Sequence, residues 1–295
     1  MRFRSLKQLV ELCEKEGKSI AELMLSEQAE ESGQTPEHEF AKMKAYYEVM
    51  KEAVRKGLTE DTTSRSGLTG KDAQRVAAYR EAEEPSLGSE ASRAMAYALA
   101  VSEVNASMGR IIATPTAGSC GIIPGVFVSS QERFGWDDDH MVKGLFAAGA
   151  IGYVIANNSF VSGAEGGCQA EVGSAIGMAA GALTELRGGN PAQSVHAVGL
   201  ALKNTLGLIC DPVGGLVEVP CIVRNGFGAV NALAAADMAL AGVRSVIPSD
   251  EVIDVMYEVG TAMPDKYRET AKGGLAQTPT GKQILSELKE RRKKK

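Results

Sequence analysis

From Ser89 onward the chain consists of helix-length segments rich in alanine and glycine. None of them alternates apolar and polar residues with the period of two that a half-buried strand requires. The segments lie at residues 90–107, 121–133, 138–157, 169–187, 191–207, 222–241 and 249–260. Helices carrying so many small side chains must touch through close backbone approach. Glycine supports this, at 33 of 295 residues or about 11%, against an average of roughly 7%. Aromatic residues make up only 5%, so rings cannot fill the core. The fold class expected is all-α: a compact multi-helix domain whose Gly-rich loops lie between helices.

The N-terminal part has a different character. The first sixty residues read as two amphipathic helices. Thr35 is an expected N-cap, with Pro36 at the first helical position, and Phe40, Met43, Tyr47, Met50 and Val54 recur at helical spacing before Gly57. The organisation expected is an N-terminal helical segment (1–60), a polar linker or lid (61–88), a helical catalytic domain (89–288) and a basic disordered tail (289–295). A net charge of −5 argues against a nucleic-acid role for that tail. The longest apolar runs, Gly144–Ala156 and Val172–Leu183, fall short of the ~20 residues of a membrane span. The start, Met1–Lys7, meets charged residues too soon for a secretory signal. A cytoplasmic setting is expected, where the five cysteines stay reduced and are free to bind metal.

Three loops concentrate glycine, proline and threonine: Thr114–Gly121, Ser162–Cys168 and Cys210–Gly215. Such loops can turn backbone N–H groups toward a ligand. Nucleotide-binding glycine motifs are absent, and His38, His140 and His196 are scattered without partners. His38 and His140 sit at helix starts, where capping or surface roles suit them. Cys13 falls on an apolar helical face with Leu6, Leu9 and Val10. Cys120 closes the first loop. Cys168, Cys210 and Cys221 each adjoin residues that bend the chain: Gly166-Gly167, Asp211-Pro212 and Pro220. Thiolates that hold iron–sulfur clusters sit in such turns. Their intervals of 42 and 11 residues match no compact metal-binding rule.

Longer stretches carry a resemblance. Ala113–Gly125 (ATPTAGSCGIIPG), Ser162–Ala175 (SGAEGGCQAEVGSA), Cys210–Cys221 (CDPVGGLVEVPC), Ile247–Ile253, Gly273–Ala276 and Thr278–Gly281 resemble the alpha chain of iron–sulfur-dependent bacterial L-serine dehydratases. The likeness runs from roughly residue 35 to residue 282. It implies a mostly helical catalytic domain and one 4Fe–4S cluster held by Cys168, Cys210 and Cys221. It also places the Thr116–Ser119 loop near the substrate, with Thr116, Ala117, Gly118 and Ser119 as candidates for holding its carboxylate. Cys120 is left out of the cluster.

Single-chain relatives of that family carry a second domain with a Ser-Ser-Ser-His-Thr motif, and some end in a cysteine that caps the fourth iron. This sequence has no such motif and ends in Lys295. The resemblance is therefore to the alpha half of a two-chain enzyme of amino-acid catabolism. Its general base is expected in a separate beta chain, its small-molecule substrate is L-serine, and no nucleic-acid or membrane partner is implied. With three protein thiolates, one iron would stay open as a Lewis acid for the β-hydroxyl. Glu165, Glu171, Asp211, Glu218 and Lys203 lie near the motifs but receive no proton-transfer role. Three rivals remain: a pyridoxal-phosphate dehydratase on an α/β scaffold, a cysteine-desulfidating iron–sulfur lyase, and a non-catalytic helical subunit.

Overall fold

The computed structural model describes residues 1–293. Three helices, not two, occupy the first sixty residues: α1 (Leu6–Glu16), α2 (Ile20–Ser32) and α3 (Pro36–Thr59). The additional break is local chemistry. Gly17 ends α1 in the left-handed region at φ 64°, and Ser19 opens α2 with a capping box to Glu22. Thr35 caps α3 as expected, accepting from the His38 amide.

Residues 61–88 contain α4 (Asp72–Ala82), and the hydroxyl residues before it, Thr62, Ser64 and Ser66, are buried. Next come α5 (Gly88–Ala106), α6 (Ile122–Phe134), α7 (Asp138–Asn158), the single turn α8 (Gly163–Gly166), α9 (Ser174–Leu186), α10 (Pro191–Lys203), α11 (Cys221–Leu240) and α12 (Ser249–Ala262). These follow the predicted Ala/Gly-rich segments closely. α13 (Pro279–Lys293) runs through the basic stretch expected to be disordered, and Arg291 in it donates to the Ser66 carbonyl at 3.1 Å. Lys294 and Lys295 lie outside the described residues. The described residues form thirteen α-helices and no strand, with one isolated bridge between Cys210 and Arg268. The α/β scaffold that a pyridoxal-phosphate dehydratase needs is not this fold. No helix among the described residues is long and apolar enough to cross a membrane.

α9 runs through the centre and is buried along its whole length except Glu185, as a helix apolar on every side must be. α7, α10 and α11 pack around it, and α5 lies against α6 and α11. The contact at the head of α6 shows why small residues are required. A Cβ placed on Gly121 would lie 2.1 Å from the Ala98 carbonyl oxygen of α5. That approach fixes where the Thr114–Gly121 loop enters the core.

Candidate functional site

The three cysteines singled out by their turns sit on separate segments. Cys168 follows Gly167, whose φ of 76° reverses the chain after α8. Gln169 then locks this turn in place. Its backbone N–H donates to the Leu208 carbonyl, while its buried side chain donates to the Met256 carbonyl and accepts from the Gly207 amide. Residues Gln169–Gly173 form a π-helical turn leading into α9, a widening that recurs at functional sites. Cys210 is held by two backbone bonds, donating to the Tyr267 carbonyl at 2.8 Å and accepting from the Glu269 amide at 2.9 Å. Cys221 is the first residue of α11.

All three thiols are buried, at 2%, 2% and 7% exposure. The sulfurs of Cys168 and Cys210 and a carboxylate oxygen of Glu171 lie within 4.8 Å of one another, a spacing that suits a metal ion. Cys221 stands outside that tight group. Burial and the charge of Cys168 push its thiol up to about 12. A hydrogen bond from Cys210 and the adjacent Arg224 pull the Cys168 thiol below its ordinary value, against the effect of burial. The same bond and burial drive Cys210 upward. Glu171 is also raised, by burial, although the Thr116 hydroxyl opposes this.

Arg224 joins the segments. One guanidinium nitrogen, Nη1, donates to Cys168 Sγ at 3.1 Å and to the Ile209 carbonyl at 2.8 Å, and Nη2 donates to Asp211 Oδ1 at 2.9 Å. Asp211 is buried, and its second oxygen accepts from the Leu275 amide at 2.8 Å. One turn of α11 thus ties Cys168, the Cys210 segment and the 273–277 turn together. The next residue, buried Asn225, performs the same service for the Thr114–Gly121 loop. Its amide donates to the Gly118 and Cys221 carbonyls at 2.8 and 2.9 Å, and its oxygen accepts from the Gly121 amide at 2.9 Å.

That loop lies beside Glu171. The Thr116 hydroxyl donates to Glu171 Oε1 at 2.7 Å, and a Cβ on Gly118 would come within 3.1 Å of the same oxygen. Ala117 is exposed, whereas Ser119 is fully buried and donates to the Thr114 carbonyl at 3.1 Å. Of the four residues expected at the substrate, Ser119 is therefore occupied within its own loop. The Thr114 hydroxyl is buried without a partner.

Other candidates disperse. Cys13 and Cys120 are buried in the apolar core. Glu165 is exposed, and Lys203 donates to Ser245. Glu218 accepts from the hydroxyls of Ser64, Ser66 and Thr69, fastening the 62–70 loop to the segment before Cys221. His140 meets the Leu186 carbonyl and the Trp136 ring. Arg224 and Asn225 escaped the sequence reading. The available signal was their spacing, three and four residues after Cys221, which sets them on its side of the helix.

Comparison with known proteins identifies the family. The serine dehydratase alpha chain family matches residues 15–276. The chain is 51% identical over 286 residues to the "Probable L-serine dehydratase, alpha chain" of Bacillus subtilis, covering 97% of this chain and 95% of that one. It is 42% identical to the "L-serine dehydratase, alpha chain" of Peptoniphilus asaccharolyticus, covering 98% and 99%. It is 43% identical to the "L-serine dehydratase" of Streptomyces coelicolor, where it covers 93% of itself but 60% of the longer relative. With a family match across most of its length and alpha-chain relatives aligned almost end to end, the chain belongs to the serine dehydratase alpha chain family.

Proposed function

We propose that this chain is the alpha subunit of an L-serine dehydratase, that Cys168, Cys210 and Cys221 bind one 4Fe–4S cluster, and that a beta chain supplies the general base. The observation that carries the reading is that the buried thiols of Cys168 and Cys210 meet from distant segments within 4.8 Å, with the buried Cys221 thiol near enough for the Cys168 charge to act on it. The donor set fits such a cluster in two further respects. Thiolates are the ligands iron–sulfur clusters take, and an N–H bond to sulfur is a usual means of tuning them. Glycine also lets a sulfur approach the backbone closely, since a Cβ on Gly163 would lie 3.1 Å from Cys210 Sγ.

When bound, a cluster with three thiolate ligands supplies one iron as a Lewis acid toward the β-hydroxyl of serine. The chain's own residues do the rest of the holding. Arg224 and Asp211 keep the thiols in register, so that ligand positions are set before substrate arrives. Asn225 fixes the Thr116–Gly118 loop, whose backbone N–H groups orient the substrate carboxylate. Removal of the Cα proton is assigned to the beta chain, because the Ser-Ser-Ser-His-Thr motif of the single-chain relatives is not in this sequence. The product leaves as an aminoacrylate that becomes pyruvate and ammonia.

The test is oxygen-free co-expression with a beta chain, with iron, sulfide and pyruvate assayed on one sample. Cys210→Ala and Cys221→Ala are each expected to lose iron and pyruvate formation together. Full iron, sulfide and activity in either variant overturns the ligand assignment. Sulfide release from cysteine exceeding pyruvate from serine turns the reading to the desulfidating lyase, and iron-free native complex that makes no pyruvate turns it to a scaffold subunit.

A further inference from the structure

An α-amino acid presents two charges to its binding site, and the Thr116–Gly118 loop answers only the carboxylate. The ammonium needs an acceptor of opposite charge close to the same loop and to the thiols. The acidic groups nearby are nearly all engaged. Asp211 gives one oxygen to Arg224 and the other to the Leu275 amide. Glu218 is taken up by the hydroxyls of the 62–70 loop. Glu269 is exposed.

Glu171 differs from all of these. Its charge acts on all three thiols. It hydrogen-bonds to Thr116 and is approached by the Gly163 backbone, and no cation is among the groups that act on it. Two glycines let the backbone pack close against it: a Cβ would lie 2.6 Å from Oε2 if added at Gly163, and 3.1 Å from Oε1 if added at Gly118. A partly buried carboxylate with no cationic partner, set between the substrate loop and the metal-ligand thiols, is complementary to an incoming ammonium.

We infer that Glu171 is the substrate-binding residue that receives the α-ammonium of L-serine and so sets the requirement for an amino acid. The inference rests on the serine dehydratase reading and gives that site its specificity. Thr116 then has a double role, orienting Glu171 through its hydroxyl and lining the carboxylate subsite.

The test compares the anaerobic alpha–beta complex with its Glu171→Gln and Glu171→Asp variants. The probes are L-serine and 3-hydroxypropanoate, which keeps the carboxylate and β-hydroxyl but lacks the ammonium. Glu171→Gln is expected to raise KM for L-serine about tenfold or more, the worth of a hydrogen bond to a charged group. Inhibition by 3-hydroxypropanoate is expected to stay within about twofold, because that probe makes no demand on the carboxylate. Iron content stays at the native level. Glu171→Asp keeps the charge on a shorter arm and is expected to show a smaller, equally selective rise. If Glu171→Gln loses iron, Glu171→Asp must still show that selective rise. Equal weakening of both probes, a fall in kcat at unchanged KM, or loss of iron in both variants overturns the inference while native turnover leaves the dehydratase reading standing. Native complex that forms no pyruvate overturns that reading, and the inference with it.

Discussion

The outer helices α1, α2 and α4 have their first turns held by carboxylates of other helices, whereas α5, α6, α9 and α11 meet one another through alanine and glycine. Asp250, at the head of α12, accepts from the Leu6 and Lys7 amides of α1 at 2.7 and 3.0 Å. Glu185, near the end of α9, accepts from the Ile20 and Ala21 amides of α2 at 2.7 and 2.9 Å. Glu103 of α5 accepts from the Asp72 and Ala73 amides of α4 at 2.6 and 3.4 Å. In each case an inner acid satisfies orphan N–H groups at an outer helix start and opposes the positive end of its dipole. The inner contacts depend on fit, and their charges lie at the edges, where Arg93 of α5 meets Glu132 of α6 at 3.8 Å and Arg187 meets Asp237 of α11 at 3.4 Å. Electrostatic joints tolerate small displacements, while close-packed joints transmit them. The thiols sit in the close-packed half, where their positions are held most firmly.

The sharpest way to break this comparison is to add the same methyl group to each half. In Gly121→Ala the new Cβ meets the Ala98 carbonyl at 2.1 Å and Ser102 Oγ at 2.6 Å, and the carbonyl belongs to a helix backbone. A loss of about 3 kcal/mol is expected, at the upper end for overpacking. Gly149→Ala, on α7, places its Cβ 4.0 Å from the nearest neighbour, Met24 Cε on α2. There the helix gains about 0.5–1 kcal/mol from alanine's propensity. Urea midpoints at unchanged slope measure both. Shifts of the same sign would remove the distinction.

Glu103→Ala examines the other half. It strips α4 of a buried acceptor and leaves two N–H groups without a partner. The expected cost is about 2 kcal/mol, between a lost cap and an unsatisfied buried donor. Glu103→Gln keeps an acceptor and should cost less. Hydrogen exchange at Asp72 and Ala73 should accelerate in the alanine variant ahead of the rest of the chain.

The inner half was the legible one. Alanine and glycine at helical spacing from Ser89 to Gly260 could form little except packed helices, and their limits agree with the structure to within a few residues. The polar stretch 61–88 hid α4, because its apolar face is short, with Ala73 buried and Val76 and Ala77 half-covered, and its cap comes from Glu103, distant in sequence. At the site, the turn residues beside Cys168, Cys210 and Cys221 set these three apart from the other two cysteines, since bent backbone leaves a local trace in composition. Arg224 and Asn225 left a weaker one. Their value lies in partners such as Cys168 and Gly118, 56 and 107 residues away, and sequence spacing does not display such pairings.

Arg224 brings a charge to the thiols themselves, so it tests whether charge or fit governs the site. Arg224→Met removes the N–H donated to Cys168 and half the support of Asp211. Iron retention against a chelator, measured without oxygen, is expected to weaken about tenfold, the lower range for an outer partner of a metal ligand. Arg224→Lys can donate to one group but cannot span sulfur, carbonyl and carboxylate with a planar fork. Partial recovery is therefore expected. Full retention in Arg224→Met would mean that packing alone positions the thiols.

The smallest expected effect concerns pH. Burial raises the Glu185 carboxyl above its ordinary 4.5, and the Ala21 and Ile20 amides only partly oppose this. The folded chain then holds that proton more tightly than the unfolded chain. Its stabilising contribution is complete below about 4.5 and is lost as pH rises through the raised value. Glu185→Gln cannot ionise and still offers an oxygen to α2. Its unfolding midpoint should equal the native one near pH 4 and exceed it progressively toward pH 7, by less than the cost of removing the Glu103 cap. A native advantage that grows with pH would show instead that the ionised carboxylate, acting on the α2 dipole, outweighs its own desolvation, and the outer joints would then strengthen where they are expected to loosen.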